Sequence, residues 1–414
     1  MVSQNYFFKV KTPREVQNIL KNTAEPLESE SLELSEKLLG RTLYDDLVSP
    51  VDLPGFDRAI MDGFAVQARD TFGASPSAPA YLQVAGEVKM GEKASVQVIP
   101  GQAVKVSTGS MMPEGANAVV MVEYTDYLDD KTIEVTRPAA PLDYIVGKTD
   151  DMEKGELVLE KGHTLRAQDI GALAGLGITS LSVTRKPRVT IISSGDEVVS
   201  PEKEIKYGQI RDINSYSLSS LAKQAGAVSV RMGIVPDDFN SLKERMAEGL
   251  EKSDIALVSG GSSVGTRDVT LDVIKSFEDA EILVHGISIR PGKPTIIARI
   301  GSKYLFGLPG NPVSVMITFD MFVGYLIALL SGRKETAWKL QSVKAQVNKN
   351  VASAPGREDY IGVKIIKTKD SIMAEPLLGK SALISTMVKA NGLIRIPLES
   401  EGIEQGSEVD VFVF

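Results

Sequence analysis

The stretch that decides the fold begins RVTIISSGDE at residues 188–197. It continues through VSVRMGIV (228–235), DIALVSGG (254–261) and YLFGLPG (304–310). Each run is short, rich in β-branched residues and closed by Gly, Pro or Asp, which reads as a strand. Between the strands lie helical periods: Leu218, Leu221, Ala222 and Ala225 share one face, then Phe239, Leu242 and Met246, then Val269 and Ile274. Alternating strand and helix predicts a doubly wound α/β unit over 185–334, with ligands at the carboxyl ends of its strands.

Outward from this core the pattern changes. Val16, Ile19 and Leu20 have helical spacing, and SESLELSEKLLG (29–40) extends the expectation of helix to Gly40. AQDIGALAGLGI (167–178) reads as helix again. Between them, YLQVAGEV, ASVQVIP, AVKVSTG, NAVVMVEYT and TIEVTR predict a β region inserted into a discontinuous, mainly helical unit. The division is 1–43 with 141–184 for that unit, 44–140 for the insertion, 185–334 for the α/β unit and 335–414 for a last one. In the last, KLQSVKAQVN, DYIGVKIIKT, GLIRIPL and EVDVFVF predict a small β-barrel.

Composition narrows the chemistry. The 414 residues carry a net charge of -8, which argues against broad nucleic-acid binding. There is no cysteine, and His163 and His285 are the only histidines, so thiolate and multi-histidine metal sites are excluded. A resident metal would be a hard ion on oxygen ligands, such as Mg²⁺. The start lacks the apolar core of a signal peptide. The apolar run Val313–Leu330 carries Asp320 and follows Pro312, which reads as a buried core helix rather than a membrane span. A cytoplasmic protein without membrane or nucleic-acid partner is the expectation.

Candidate site residues cluster at the strand ends. SSGDE places Ser193, Gly195 and Glu197 there. SGGSSVGTRD adds Gly260, Gly261, Ser262, Ser263, Gly265 and Asp268, and LPGNP adds Pro309, Gly310, Asn311 and Pro312. Glycines free backbone N–H groups for phosphate, and Glu197 with Asp268 would suit Mg²⁺ beside it. RPGKP brings Arg290 and Lys293 to a turn fit for an oxyanion. Asp57, Asp62 and Thr108 lie in Gly-rich turns of the inserted region, and Asp-Gly is also an ordinary turn dipeptide.

Seven segments in order, PGFDRAIMDGFAV, STGSMMPEGANAVVMVE, ISSGDE, GQIRDINSYSL, SGGSSVGTRD, RPGKP and LPGNPVS, resemble the MoeA family of molybdopterin molybdenumtransferases, relatives of the gephyrin E domain. The resemblance runs from about residue 8 to 414. It implies a central domain similar to the MogA adenylyltransferase and a homodimer with its active site between protomers. The implied reaction gives molybdenum cofactor and AMP from adenylylated molybdopterin and molybdate or tungstate, with Mg²⁺. A transient contact with the pathway's adenylyltransferase is also implied.

By position, Glu197 and Asp268 resemble the acids that handle Mg²⁺ and phosphate, and the Ser259–Gly265 loop and LPGNP resemble the pterin and nucleotide pocket. Arg290 and Lys293 resemble anion ligands, and Asp62 and Thr108 the opposite protomer's contribution. Asp237, Arg357 and Ser381 complete the set. Two departures stand out. Relatives' Arg and Gly-Glu-Asp become DYIVGKTDDMEKG, with Lys148 and Asp151 as possible substitutes, and SAMDGYA becomes RAIMDGFA. Adenylylation by the central domain alone, or a scaffold role, are the competing readings; the large insertion and the barrel weigh against the first, and the retained acids and cations against the second.

Overall fold

The computed structural model describes residues 10–260, 269–334, 342–369 and 371–414. Its centre is a six-stranded sheet. Strands 228–235, 188–194, 255–259 and 303–308 run parallel in that spatial order, and 296–300 and 280–285 extend the sheet antiparallel. The strands alternate their faces. Val189, Ile191, Ile255 and Leu257 pack under helices Asn214–Gln224 and Pro312–Leu330, while Ile192, Ala256 and Val258 pack under Phe239–Lys252 and Val269–Lys275. Each fully buried side chain of this size is worth roughly 1.5–3 kcal/mol, so the two-faced core dominates the unit's stability.

Pro312–Leu330 is a core helix, with 78% of its apolar window buried inside the protein. Proline opens it at a position where a missing N–H costs nothing. A π-helical turn, Phe319–Val323, interrupts it and carries Asp320. Burial pushes the Asp320 carboxyl up to about 7.

The first unit departs from the mainly helical expectation: besides helices Pro13–Thr23 and Ala167–Gly175 it holds strands 29–33, 145–146, 157–159 and 180–184. Ser29–Glu33 is a strand paired antiparallel with Ser180–Thr184, and only Glu36–Leu38 turns helically. The apolar residues of 29–40 satisfy a period of two as well as one near four, and Leu32, paired with Leu181, decides for the strand. Helix Pro13–Thr23 docks on the central unit, with Val16 and Leu20 in its core. A Thr12–Glu15 capping box starts that helix.

Three nested antiparallel pairs lead the chain out and back: 29–33 with 180–184, 47–48 with 157–159, and 58–59 with 145–146. Beyond them lies the inserted six-stranded sheet, in the spatial order 118–121, 63–66, 102–106, 80–88, 132–135, 125–127. ASVQVIP does not join it. Val98 is buried and Val96 packs over Gly86, so the segment closes the core with its side chains instead of a ladder.

The C-terminal unit closes into a five-stranded barrel, because strand 358–367 pairs with both 372–376 and 392–396. Ile289–Arg290 of the central unit adds to strand 358–367 in parallel, placing Arg290 opposite Asp359. That pairing fixes where the barrel sits. At the opposite border, Arg185 ties Glu28 to Asp254, with both Asp254 contacts at 2.7 Å.

Candidate functional site

Parallel register aligns Ser193, Ser259 and Leu308 in one row at the carboxyl ends of three adjacent strands. The chain closes tightly above that row. A Cβ on Gly260, at φ +111°, would lie 2.0 Å from the Ser194 carbonyl oxygen, and one on Gly310 would lie 3.9 Å from the Gly260 Cα. Gly260 N donates to Leu308 O at 3.3 Å. Only glycine at 260 lets the chain pass this close, and the result is a backbone cradle at the carboxyl edge of the sheet. Glu197, exposed, folds back over Gly195, where an added Cβ would meet its Oε2 at 2.7 Å.

Side chains brace the cradle from behind. Ser193 Oγ donates to Asp212 Oδ2 at 3.0 Å, and Asp212 also accepts from Ser215 N at 3.0 Å and Ser215 Oγ at 2.6 Å. The Ser193 hydroxyl is thus committed to Asp212. Ser194 Oγ donates to Asp237, whose own N–H meets Asp196 Oδ1 at 3.4 Å. Asn214 Nδ2 donates to Gly310 O at 2.9 Å, carrying helix Asn214–Gln224 onto the LPGNP turn. Asp212 and Asn214 are functional braces that local sequence pattern does not single out. The one trace is RDINS, an acid three residues before the serine whose N–H it accepts at a helix start.

A second feature lies between the α/β unit and the barrel. Asn311 Nδ2 donates to Ser381 Oγ at 3.0 Å, and Val313 N donates to Ser381 O at 3.1 Å. Beside this contact is a cavity of about 600 Å³, with Arg290, Pro291, Val313, Asp359, Lys380 and Ser381 among its walls. Asp359 is 1% exposed. Its Oδ1 accepts from Arg357 Nε at 2.9 Å, and its Oδ2 stands 3.5 Å from Arg290 Nη1. Next to it, burial and the Glu358 carboxylate, which accepts the Tyr360 hydroxyl at 2.5 Å, push the Tyr360 phenol well up. Lys293 is exposed on the same turn as Arg290, its carbonyl accepting from Ile287 N at 2.9 Å.

Asp62 and Thr108 meet as a pair. Asp62 Oδ1 accepts from Thr108 N at 2.7 Å and from Thr108 Oγ1 at 3.2 Å, and both residues are exposed. These bonds stay within the inserted sheet. Asp57 accepts from Lys148 N at 2.6 Å, while Lys148 Nζ pairs with Asp52 at 3.0 Å. Asp151 donates its N–H to Leu53 O. His163 is a brace, 2.7 Å from Asp169. Gly261, Ser262, Ser263, Gly265 and Asp268 lie outside the described residues.

Comparison with known proteins accounts for nearly the whole chain. The family model for the MoeA N-terminal region (domain I and II) matches residues 11–177. A probable molybdopterin binding domain matches 190–328, and the MoeA C-terminal region (domain IV) matches 344–414. A putative molybdopterin biosynthesis protein of Methanocaldococcus jannaschii is 35% identical over 384 residues, 91% of this chain and 90% of that protein. A molybdopterin molybdenumtransferase of Haemophilus influenzae is 32% identical over 392 residues, 94% of this chain and 95% of that protein. The crystal structure of a molybdopterin biosynthesis MoeA protein from Pyrococcus horikoshii OT3 superposes with a TM-score of 0.84 at 34% identity, covering 98% of this chain and 100% of that one.

Proposed function

The chain belongs to the MoeA family of molybdopterin molybdenumtransferases, and on that premise we propose that it transfers the metal of molybdate, or of tungstate, to adenylylated molybdopterin with release of AMP. That it serves molybdenum cofactor biosynthesis as a transferase follows from the family itself. The observation carrying the finer reading is two anion-adapted places side by side. A glycine cradle lies at the ends of three strands, and a cation-walled cavity lies next to it across the LPGNP turn.

The adenylate phosphates would sit in the cradle, where Gly260 admits close backbone approach and the Gly310 turn lies beside it. Asn214 holds the Gly310 carbonyl and keeps the turn in register. Arg290, Lys293, Arg357 and Ser381 would hold the tetrahedral oxyanion, for which cations and hydroxyls are suitable partners. Pro309, Asn311 and Pro312 shape the turn between the two places. The dithiolene sulfurs belong to the pterin, so the absence of cysteine is no obstacle.

Among the described residues no three His, Cys, Asp or Glu converge as a ready-made cage. Mg²⁺ needs none, since one or two carboxylates plus phosphate oxygens and water satisfy it. Glu197, at the strand end beside Gly195, fits that role, with Asp268 as the second acid. Bound there, the ion would neutralise charge on the phosphates as the anhydride opens.

Asp62 and Thr108 are assigned to the partner protomer's site in a homodimer. In support, the pair is exposed and its hydrogen bonds leave it on the surface of the inserted sheet. We also propose a cytoplasmic location, a transient contact with the adenylyltransferase, and the division 1–43 with 141–184, 44–140, 185–334 and 335–414. The family-model spans break near the later two of these limits and support them.

The test is turnover with adenylylated molybdopterin, Mg²⁺ and either oxyanion, read as AMP release and activation of a cofactor-free apoenzyme. Oxyanion-dependent AMP release with active cofactor is expected. Adenylate formation from ATP and free molybdopterin without insertion would replace this reading with the adenylyltransferase one.

A further inference from the structure

Among the described residues, the charged groups lining the cavity of about 600 Å³ are two cations, Arg290 and Lys380, and one acid, Asp359. Arg290 comes from the α/β unit and Lys380 from the barrel, so each unit supplies one cation. Asp359 is 1% exposed and lies between two guanidiniums, with Arg357 Nε at 2.9 Å and Arg290 Nη1 at 3.5 Å. Arg290, Arg357 and Asp359 therefore sum to a single positive charge. Behind them Glu358 and Arg395, 3.9 Å apart, cancel each other.

Lys380 stands outside that balance. It is exposed, and among the described residues its ammonium has no carboxylate or hydrogen-bond partner. A lone exposed lysine is ordinarily just solvated, but the backbone of this one is anchored. Lys380 O accepts from Leu383 N at 2.9 Å, and the next residue is tied twice to the α/β unit. Asn311 Nδ2 donates to Ser381 Oγ at 3.0 Å, and Val313 N to Ser381 O at 3.1 Å. The charge sum bears on the ligand. One net positive charge suits a monoanion, whereas a dianion drawn from water needs a second cation, because an uncompensated charge is costly to desolvate.

Resting on the reading of this cavity as the oxyanion site, we infer that Lys380 is a binding residue that selects doubly charged oxyanions. The group of Arg290, Arg357 and Asp359 neutralises one charge of molybdate or tungstate, and the Lys380 ammonium neutralises the other. Lysine suits this task, being a compact point charge on a flexible stem that can follow the anion inward. A tetrahedral monoanion of the same size has no use for the second cation and binds more weakly. Selection by charge thus comes from the barrel, and selection by shape from the cavity.

The test is equilibrium binding to the full chain by calorimetry near neutral pH, with molybdate and with perrhenate, a tetrahedral monoanion of nearly the same size. The native chain is expected to bind molybdate about 10–100-fold more tightly, the worth of one hydrogen bond between charged groups. Lys380→Gln is expected to weaken molybdate by most of that factor and to leave perrhenate nearly unchanged. Lys380→Arg, which keeps the charge, is expected to keep the preference. Equal binding of the two anions by the native chain overturns the inference, as does a Lys380→Gln variant that still prefers molybdate or loses both alike. The native comparison needs no variant, so it stands even where a substitution disturbs folding. Saturable binding of neither anion by the native chain would overturn the reading of the cavity as the oxyanion site, and this inference with it.

Discussion

Asn311 reaches across the border between the α/β unit and the barrel and donates to the Ser381 hydroxyl at 3.0 Å. The two residues lie 70 apart in sequence and on different units, so the bond reports how the barrel is set against the LPGNP turn. Ser381 also lines the cavity assigned to the oxyanion, and its hydroxyl therefore has two roles.

Replacing Ser381 by alanine removes the hydroxyl while Val313 N keeps its bond to the Ser381 carbonyl. A single neutral hydrogen bond contributes about 1 kcal/mol, so KM for molybdate should rise about fivefold with little change in melting temperature. Steady-state kinetics with molybdate varied at saturating adenylylated molybdopterin reads this directly. An unchanged KM would remove Ser381 from the oxyanion's surroundings.

Asp212 is a structural acid whose loss should be felt in stability first. It is 8% exposed and accepts from Ser193 Oγ, Ser215 N and Ser215 Oγ. Alanine there strands several buried donors at once, for an expected loss of about 2–4 kcal/mol. Asparagine, which keeps one acceptor oxygen, should recover part of it. Urea unfolding of both variants decides the matter, and a loss below about 0.5 kcal/mol for Asp212→Ala, the ordinary range of surface changes, would contradict the brace.

The strand ends were legible in the sequence because parallel sheets signal themselves: RVTIIS, DIALVS and YLFG are largely apolar runs, each with a glycine within three residues of its end. The glycines also announced their purpose, and Gly260 lies against Ser194 O as close approach requires. The residues that steady the site were less legible, because a brace has no composition of its own. Asp212 sits in an ordinary-looking turn, and Asp359 gains its meaning only when Ile289–Arg290 pairs beside it, which local pattern does not encode. The strand at Ser29–Glu33 was misread for a related reason. Its partner, Ser180–Thr184, lies about 150 residues away, and tertiary pairing outweighed a locally helical pattern. The edge strand 280–285, joined to the sheet only through the reversed strand 296–300, offers no strong alternation to read.

Acid should weaken the border between the first unit and the central one before it reaches either core. Asp254 is held by Arg185 at 2.7 Å through both oxygens and accepts from Arg188 N at 2.7 Å. Burial pushes its carboxyl up, but these hydrogen bonds and the Arg185 charge outweigh it and hold the group below the usual carboxylate range. A depressed folded value means the contribution is present above the unfolded value near 4 and is lost as pH falls below it. Arg185→Met leaves Asp254 buried without its cation, for a loss of about 3 kcal/mol at pH 7. The variant's loss should shrink toward pH 3, as the native protein surrenders the same contribution. A loss independent of pH would show that Arg185 acts through packing alone.

Asp320 should behave in the opposite sense, and replacing it should stabilise the protein. Burial in the π-helical turn pushes its carboxyl up to about 7, against an unfolded value near 4. Between those values the folded state binds the proton and the unfolded state does not. Stability from this group therefore falls as pH rises from about 4 to about 7, and the penalty is complete above 7. Asparagine keeps the shape without the ionisation and removes the penalty. Asp320→Asn should therefore gain about 1–3 kcal/mol at pH 8 and much less at pH 5, measured by urea unfolding at the two values. The comparison separates charge from packing, since a gain from packing would be the same at both. A variant less stable at pH 8 than the native chain would mean that the ionised carboxylate contributes favourably there, and that the π turn is maintained by the charge.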